Sequence, residues 1–300
     1  MIISMKFRLN LRNVATVFAC LAATTMMTSC QKDGVYNPNK KISKVFYQYS
    51  GSGKYLAQTW TWDKNNLSRI TYNGGDFVRF DYDGKRVSKI TDNEGWGTTR
   101  FTYSGSKLDK IDYSSEEVNI VYKPVYKGSK MEKVTITLTY LDWDPWDYAP
   151  QKAIVENLTW QIFMPEQMME KNEAKLKSSQ QSRKSGNTET FNITYTWKGD
   201  NITKMVFEGT DEDGKLYTDT YEYKEYDKSK NPLYGLLYGG EIIVLESKNN
   251  PKKMTNTESG GYYSETEYSY RCNGKFPEEI TRTTTVGRNT YTFTTYFEYE

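Results

Sequence analysis

Residues 142–148 hold the densest group of side chains able to grip a ligand, with Asp142, Trp143, Asp144, Trp146, Asp147 and Tyr148 interrupted only by Pro145. Two indoles and a phenol offer flat apolar faces, and three carboxylates accept hydrogen bonds. That mixture suits stacking on a sugar ring or holding Ca²⁺. The plainer alternative is a hairpin tip whose aromatics cover a sheet edge. Asp211-Glu212-Asp213-Gly214 has part of a calcium loop but lacks the third acidic position before the glycine, and it reads as a β-turn. The pairs Glu116-Glu117 and Glu278-Glu279 should point to opposite faces of a strand, so adjacency does not make them an acid–base couple. The chain contains no histidine, which removes the usual general base, Ser-His-Asp triads and the commonest zinc ligand together. No catalytic residue, metal site or cofactor is therefore assigned. Two carboxylates from distant segments could still converge, which keeps a glycoside-acting enzyme as the last-ranked reading.

The three cysteines speak to compartment. Lys6, Arg8 and Arg12 precede an apolar run from Val14 to Met27, and Met27-Thr28-Ser29 leads into Cys30. A membrane span needs about twenty apolar residues, whereas this run is shorter and broken by Thr16, Thr24 and Thr25. The order of basic start, apolar stretch, small residues and cysteine resembles a bacterial lipoprotein signal peptide. The resemblance implies that residues 1–29 are removed, that Cys30 becomes the acylated first residue, and that residues 30–41 form a linker from the membrane. Gln31-Lys32-Asp33 resembles the short tag that routes Bacteroidetes lipoproteins outward. An outer-membrane lipoprotein on the cell surface or the periplasmic face is the implied localisation. Cys20 leaves with the leader, so Cys272 has no intramolecular partner and is expected as a small packed side chain. The whole chain has 40 basic and 38 acidic residues. Since the leader is basic, the mature domain is close to neutral and has no electrostatic claim on nucleic acid.

From residue 42 the sequence repeats itself. Trp60-Thr-Trp62-Asp63-Lys-Asn-Asn-Leu67-Ser-Arg-Ile70 is followed by Phe80-Asp-Tyr82-Asp83-Gly84-Lys-Arg-Val87-Ser-Lys-Ile90 and by Phe101-Thr-Tyr103-Ser-Gly105-Ser-Lys-Leu108-Asp-Lys-Ile111. Weaker copies start at Tyr126, Tyr195 and Tyr268. Aromatic-x-aromatic places two large side chains on one face of a strand, the Asp/Asn/Gly cluster supplies a turn that tolerates positive φ, and apolar-x-x-apolar opens the return strand. Strict alternation elsewhere, as in Val134, Ile136, Leu138 and Tyr140 against Thr135, Thr137 and Thr139, excludes a helical reading.

The segment Tyr82-Asp83-Gly84-Lys85-Arg86-Val87 resembles the YD repeats of bacterial RHS proteins. Together with Tyr195-Thr-Trp197-Lys-Gly199, Asn231-Pro232, Asn250-Pro251 and Tyr268-Ser-Tyr270, the chain is similar to a Bacteroidetes lipoprotein family whose β-domain is described as porin-like. These motifs are scaffold signatures and bring no functional residue with them.

The expected fold is all-β: residues 42–300 form one domain, a long antiparallel meander of hairpins curled into a soluble barrel or half-barrel with its aromatic face inward. An irregular insertion near 141–190 interrupts it, containing a strand at 154–163. The apolar stretch from Leu233 to Leu245 is expected as a plug or wide connection. The preferred function is a non-catalytic binding or interaction module of the cell envelope, with a glycan or a protein as ligand and the membrane as partner through Cys30. A structural envelope protein and a carrier of a hydrophobic molecule rank behind it.

Overall fold

A computed structural model describes residues 33–93, 97–116, 118–141, 188–210, 215–236 and 247–300. Within them the chain forms sixteen strands: β1 Ile42–Tyr49, β2 Tyr55–Asp63, β3 Asn66–Tyr72, β4 Phe77–Asp83, β5 Arg86–Asp92, β6 Gly97–Ser104, β7 Lys107–Ser115, β8 Val118–Lys127, β9 Lys130–Tyr140, β10 Thr188–Lys198, β11 Asn201–Thr210, β12 Leu216–Lys224, β13 Lys253–Glu258, β14 Tyr263–Asn273, β15 Phe276–Val286 and β16 Asn289–Tyr299. Every strand pairs antiparallel with its predecessor, and β16 closes on β1 with Val45 opposite Phe297. The result is a closed barrel with no free edge, which removes the template for edge-to-edge aggregation.

The repeat has a structural meaning that strict alternation hides. Trp62 lies opposite Leu67 and Thr61 opposite Arg69, so Ser68 is an extra residue in β3. The same bulge recurs at Ser88, Asp109, Glu132, Thr203 and Glu278. On a regular strand, residues three apart face opposite sides. One bulged residue between them returns both to the same face, and Leu67 and Ile70 are accordingly both inaccessible, as are Leu108 and Ile111. The bulged hydroxyls also satisfy carbonyls that the bulge frees: Ser68 Oγ donates to Thr61 O at 2.9 Å and Ser88 Oγ to Asp81 O at 3.2 Å. At the turns Gly84, Gly105, Gly128, Gly199 and Gly274 adopt φ near 60°, and Lys64 takes the equivalent left-handed position with φ 52°.

Inward-facing side chains from all around the wall form one hydrophobic cluster. Ile42, Leu67, Leu108, Ile193 and Met205 are almost completely inaccessible, so no water channel reaches the wall at these positions. Each such side chain contributes about 1.5–3 kcal/mol relative to exposure. The outer face carries charges at mid-strand, among them Lys89 with Asp81 at 3.0 Å, Lys110 with Asp112 at 2.9 Å and Lys253 with Glu267 at 3.1 Å.

Two segments close one mouth of the barrel. Asp33–Lys41, in the stretch expected as a linker, runs beneath the hairpin tips of β2 to β7. Asp33 N donates to Ser106 O, Gly34 O accepts from Val87 N, and Asp33 Oδ2 accepts from Leu108 N at 2.7 Å and from the Tyr126 hydroxyl at 2.6 Å. The connection between β12 and β13 covers the tips of β10, β11 and β14: Ser247 Oγ accepts from Ile202 N, and Asn231, Leu233 and Leu236 are buried. The residues expected as a plug thus act as one across 233–236. The two segments meet where the Tyr36 hydroxyl donates to Pro232 O at 2.7 Å. Val87, Leu108 and Ile202 are the first apolar residues of bulged return strands, and the plug takes up backbone N–H groups that the disrupted ladder leaves over.

Candidate functional site

At the plugged mouth, the second aromatic of four of the repeats links its hairpin to the one before. The Trp62 indole donates to Ile42 O at 2.7 Å, the Tyr82 hydroxyl to Leu67 O at 2.9 Å, the Tyr103 hydroxyl to Val87 O at 2.7 Å and the Trp197 indole to Met131 O at 2.7 Å. Basic residues from the preceding turns lie over these rings, with Arg86 4.8 Å from the Tyr103 centroid, Lys107 4.8 Å from Tyr126 and Lys130 5.3 Å from Trp197. Burial holds the Tyr36 hydroxyl well above its ordinary titration range, with further contributions from Tyr299 and Tyr82. Burial likewise pushes Tyr82 up to about 12, against the lowering effect of its bond to the Leu67 carbonyl. These phenols serve as neutral donors, and this mouth is a structural assembly.

The inner wall changes character toward the other end, on β12 to β15. Asp219 lies opposite Glu258, and Asn256 sits between Tyr221 and Ser264 in register. Beside them Thr266 and Thr284 approach at 3.0 Å through their hydroxyls. All of these side chains are buried, and Asn256, Ser264 and Thr266 have no accessible surface. Burial raises the Tyr221 hydroxyl well above its ordinary range, and the carboxylates of Asp219 and Glu258 raise it further. Tyr221 therefore remains an uncharged donor beside two acids. Arg282, also buried, packs 4.5 Å over the Phe293 ring on the same inner wall. Among the described residues, neither the amide nitrogen nor the amide oxygen of Asn256 has a hydrogen-bond partner. A buried polar group left in this condition costs about 1–3 kcal/mol. The arrangement gathers acceptors, an amide and a phenol around a point where one amide still has its full hydrogen-bonding capacity.

Neither a family model nor a curated protein matches the sequence. Solved structures do match the fold. A porin-like protein from Bacteroides vulgatus ATCC 8482 aligns with a TM-score of 0.53, over 87% of this chain and 99% of that chain at 11% identity. A porin-like protein from Bacteroides uniformis ATCC 8492 aligns over 90% of this chain and 100% of that chain, at 11% identity and a TM-score of 0.37. The first likeness shows a shared barrel fold.

Cys30, the Asp142, Trp143, Asp144, Trp146, Asp147 and Tyr148 group, the strand expected at 154–163 and the Asp211–Gly214 turn all lie outside the described residues. Cys272 departs from expectation: it is exposed, one residue before the end of β14 at the hairpin tip. Glu278 and Glu279 depart as well. Glu278 is the bulged residue, so both carboxylates reach Arg271, each at 3.0 Å. Among the described residues no group of three or more Cys, Asp or Glu side chains could hold a metal ion. Sequence reasoning missed Asp219, Asn256, Glu258 and Arg282. The available signal was a strand-like stretch, Lys253–Glu258, whose alternate positions read Met, Asn and Glu where other strands carry apolar residues.

Proposed function

We propose that this chain is a lipid-anchored barrel of the cell envelope that binds a hydroxyl-rich ligand, a glycan by chemical class, without transforming it. The observation that carries the reading is Asn256, a fully buried side chain with an unengaged amide, flanked by Asp219, Glu258, Tyr221 and Ser264. Carboxylates, an amide and an aromatic phenol are the groups that read sugar hydroxyls and ring faces. A non-catalytic role is favoured because the chain has no histidine to activate Ser264. Outward charges at mid-strand support a barrel standing in water, since each charged side chain at a bilayer midplane costs up to about 2–4 kcal/mol. Wall residues such as Ile42, Leu67 and Ile193 are inaccessible, which disfavours a water-filled pore.

The test is a glycan array followed by calorimetry on any hit, with wild type and Asn256→Leu compared. Binding that falls tenfold or more in Asn256→Leu, roughly the 1.4 kcal/mol of one lost polar contact, supports the reading. Silence of the folded wild type across the array, or a hit that Asn256→Leu binds equally well, refutes it and favours a structural envelope protein.

A further inference from the structure

Among the described residues, exposed lysines are concentrated at the plugged end of the barrel. At the plugged end exposed lysines project from successive tips and from the plug: Lys64, Lys85, Lys127, Lys198, Lys228 and Lys275. Exposed acids there are Asp63, Asp83, Asp109, Glu132, Asp200, Glu225 and Glu300, fewer than the bases once exposed Lys224, Lys248, Lys252 and Arg271 are counted with those lysines, and Asp200 is engaged by Lys248 at 3.1 Å. Lys127 leans toward Glu132 at 3.8 Å. The described tips at the other end carry Ser50, Gly51, Ser52 and Gly53, Asn73, Gly74 and Gly75, and Ser259, Gly260 and Gly261, with Lys54, Glu116, Lys215 and Arg288 as their exposed charges. A second observation concerns reach. Asp33 is held in the plugged mouth by bonds to Ser106, Leu108 and Tyr126, and Cys30 precedes it by only three residues. Three extended residues span about 11 Å.

We propose that the plugged, lysine-rich end is a membrane-docking surface for anionic phospholipid headgroups, so that the barrel stands on the bilayer with its polar interior cluster toward the opposite end. The inference rests on acylation at Cys30. A tether this short keeps the lysines at a distance comparable with the Debye length, about 8–10 Å, from the headgroups. Each lysine at such a surface strengthens binding about fivefold. The plug makes the short tether effective, because a segment hydrogen-bonded inside the mouth cannot pay out and let the barrel tumble.

Cys272, exposed near the β14–β15 tip at this end, provides a native reporter. The purified lipidated protein is labelled there with a fluorophore and reconstituted on phosphatidylcholine vesicles that carry a headgroup quencher, with and without phosphatidylglycerol. A Gly53→Cys label in a Cys272→Ser background reports the far end. Quenching at Cys272 should exceed that at Gly53→Cys severalfold on anionic vesicles. The excess should shrink in high salt and disappear when Lys64, Lys85, Lys127 and Lys198 are all changed to Glu, with near-UV circular dichroism confirming the fold. Equal quenching at both ends, or quenching indifferent to lipid charge and to the four reversals, overturns the proposal. Failure of the protein to float with pure phosphatidylcholine vesicles would refute the acyl anchor instead, while the lipid-charge dependence would still report on the lysine surface.

Discussion

Gly34→Ala is the sharpest perturbation of the plug. Gly34 is buried at φ 78°, and its carbonyl accepts from Val87 N at 3.0 Å. A methyl group there would approach Tyr103 Cζ to 2.5 Å and crowd the phenol oxygen. Left-handed geometry costs an L-residue roughly 1–2 kcal/mol. Tyr103 would have to move as well, releasing its 2.7 Å bond to Val87 O, worth about 1 kcal/mol, and overpacking adds roughly 1–3 kcal/mol. The total of about 3–6 kcal/mol is large for one short segment, so the plug segment should detach before the barrel opens. Denaturant melts should show destabilisation, and hydrogen exchange should show lost protection at the Val87 and Leu108 amides. In a Tyr103→Leu background the same change should cost only the backbone term, because the ring it strikes is gone. A loss below about 0.5 kcal/mol with both amides still protected would refute this account of the mouth.

Three further outcomes are expected. Lys64→Gly should raise stability by roughly 0.5–1 kcal/mol by relieving a left-handed lysine at a turn where sibling hairpins use glycine, read from the denaturation midpoint. Asn256→Leu should be neutral or stabilising by about 1 kcal/mol even as it abolishes glycan binding, since it removes an unsatisfied buried amide; marked destabilisation would show that the amide is satisfied after all. Tyr82 and Tyr226 titrate near 12 when folded and near 10 when unfolded, in both cases chiefly through burial. The folded state therefore holds more protons between these values, and stability should fall as pH rises from 10 toward 12, by up to about 1.4 kcal/mol per pH unit for each tyrosine. Replacing both by Phe should reduce that slope by their share in pH-dependent melts, leaving the part that comes from other buried phenols such as Tyr36 and Tyr221.

Much of the wall was legible in the sequence because each hairpin states its own physics. Phe80-Asp-Tyr82 with Asp83-Gly84 dictates a strand and a turn locally, and the copies agree with one another, so a meander follows without knowledge of distant contacts. Closure of β1 on β16 was not decidable from local pattern, since a half-barrel needs the same hairpins. The bulge was visible only as a violation. Leu67 and Ile70 are three apart, which period two forbids for two buried residues, and Ser68 between them is the residue that resolves the conflict. Misplacing Glu278 came from carrying strict alternation through that same bulge, whereas Cys272 was expected to pack only on the general tendency of an unpaired cysteine. Asp33 reads as a tag or linker residue in sequence, and only tertiary placement shows its carboxylate taking up Leu108 N and the Tyr126 hydroxyl.

The interior polar cluster was hidden for a different reason. It lies where the repeat breaks down. Between β12 and β13 the glycine turn is replaced by the long connection that forms half of the plug, so neither strand carries the aromatic-turn-apolar signature that made the others readable. The inner positions of this sector are released from the repeat's apolar rule at the same place, giving Asp219, Asn256, Glu258, Ser264 and Thr266. A chain under selection for packing alone would fill those positions with the Val, Ile and Leu that occupy them elsewhere, at a gain of about 1–3 kcal/mol for the amide of Asn256. A local rule broken without a compensating contact, as at Asn256, marks a position at which function, rather than folding, sets the residue. The same connection that suspends the repeat meets Tyr36 through Pro232 O at the plugged mouth, so the sector bearing the cluster and half of the plug are built by one stretch of chain.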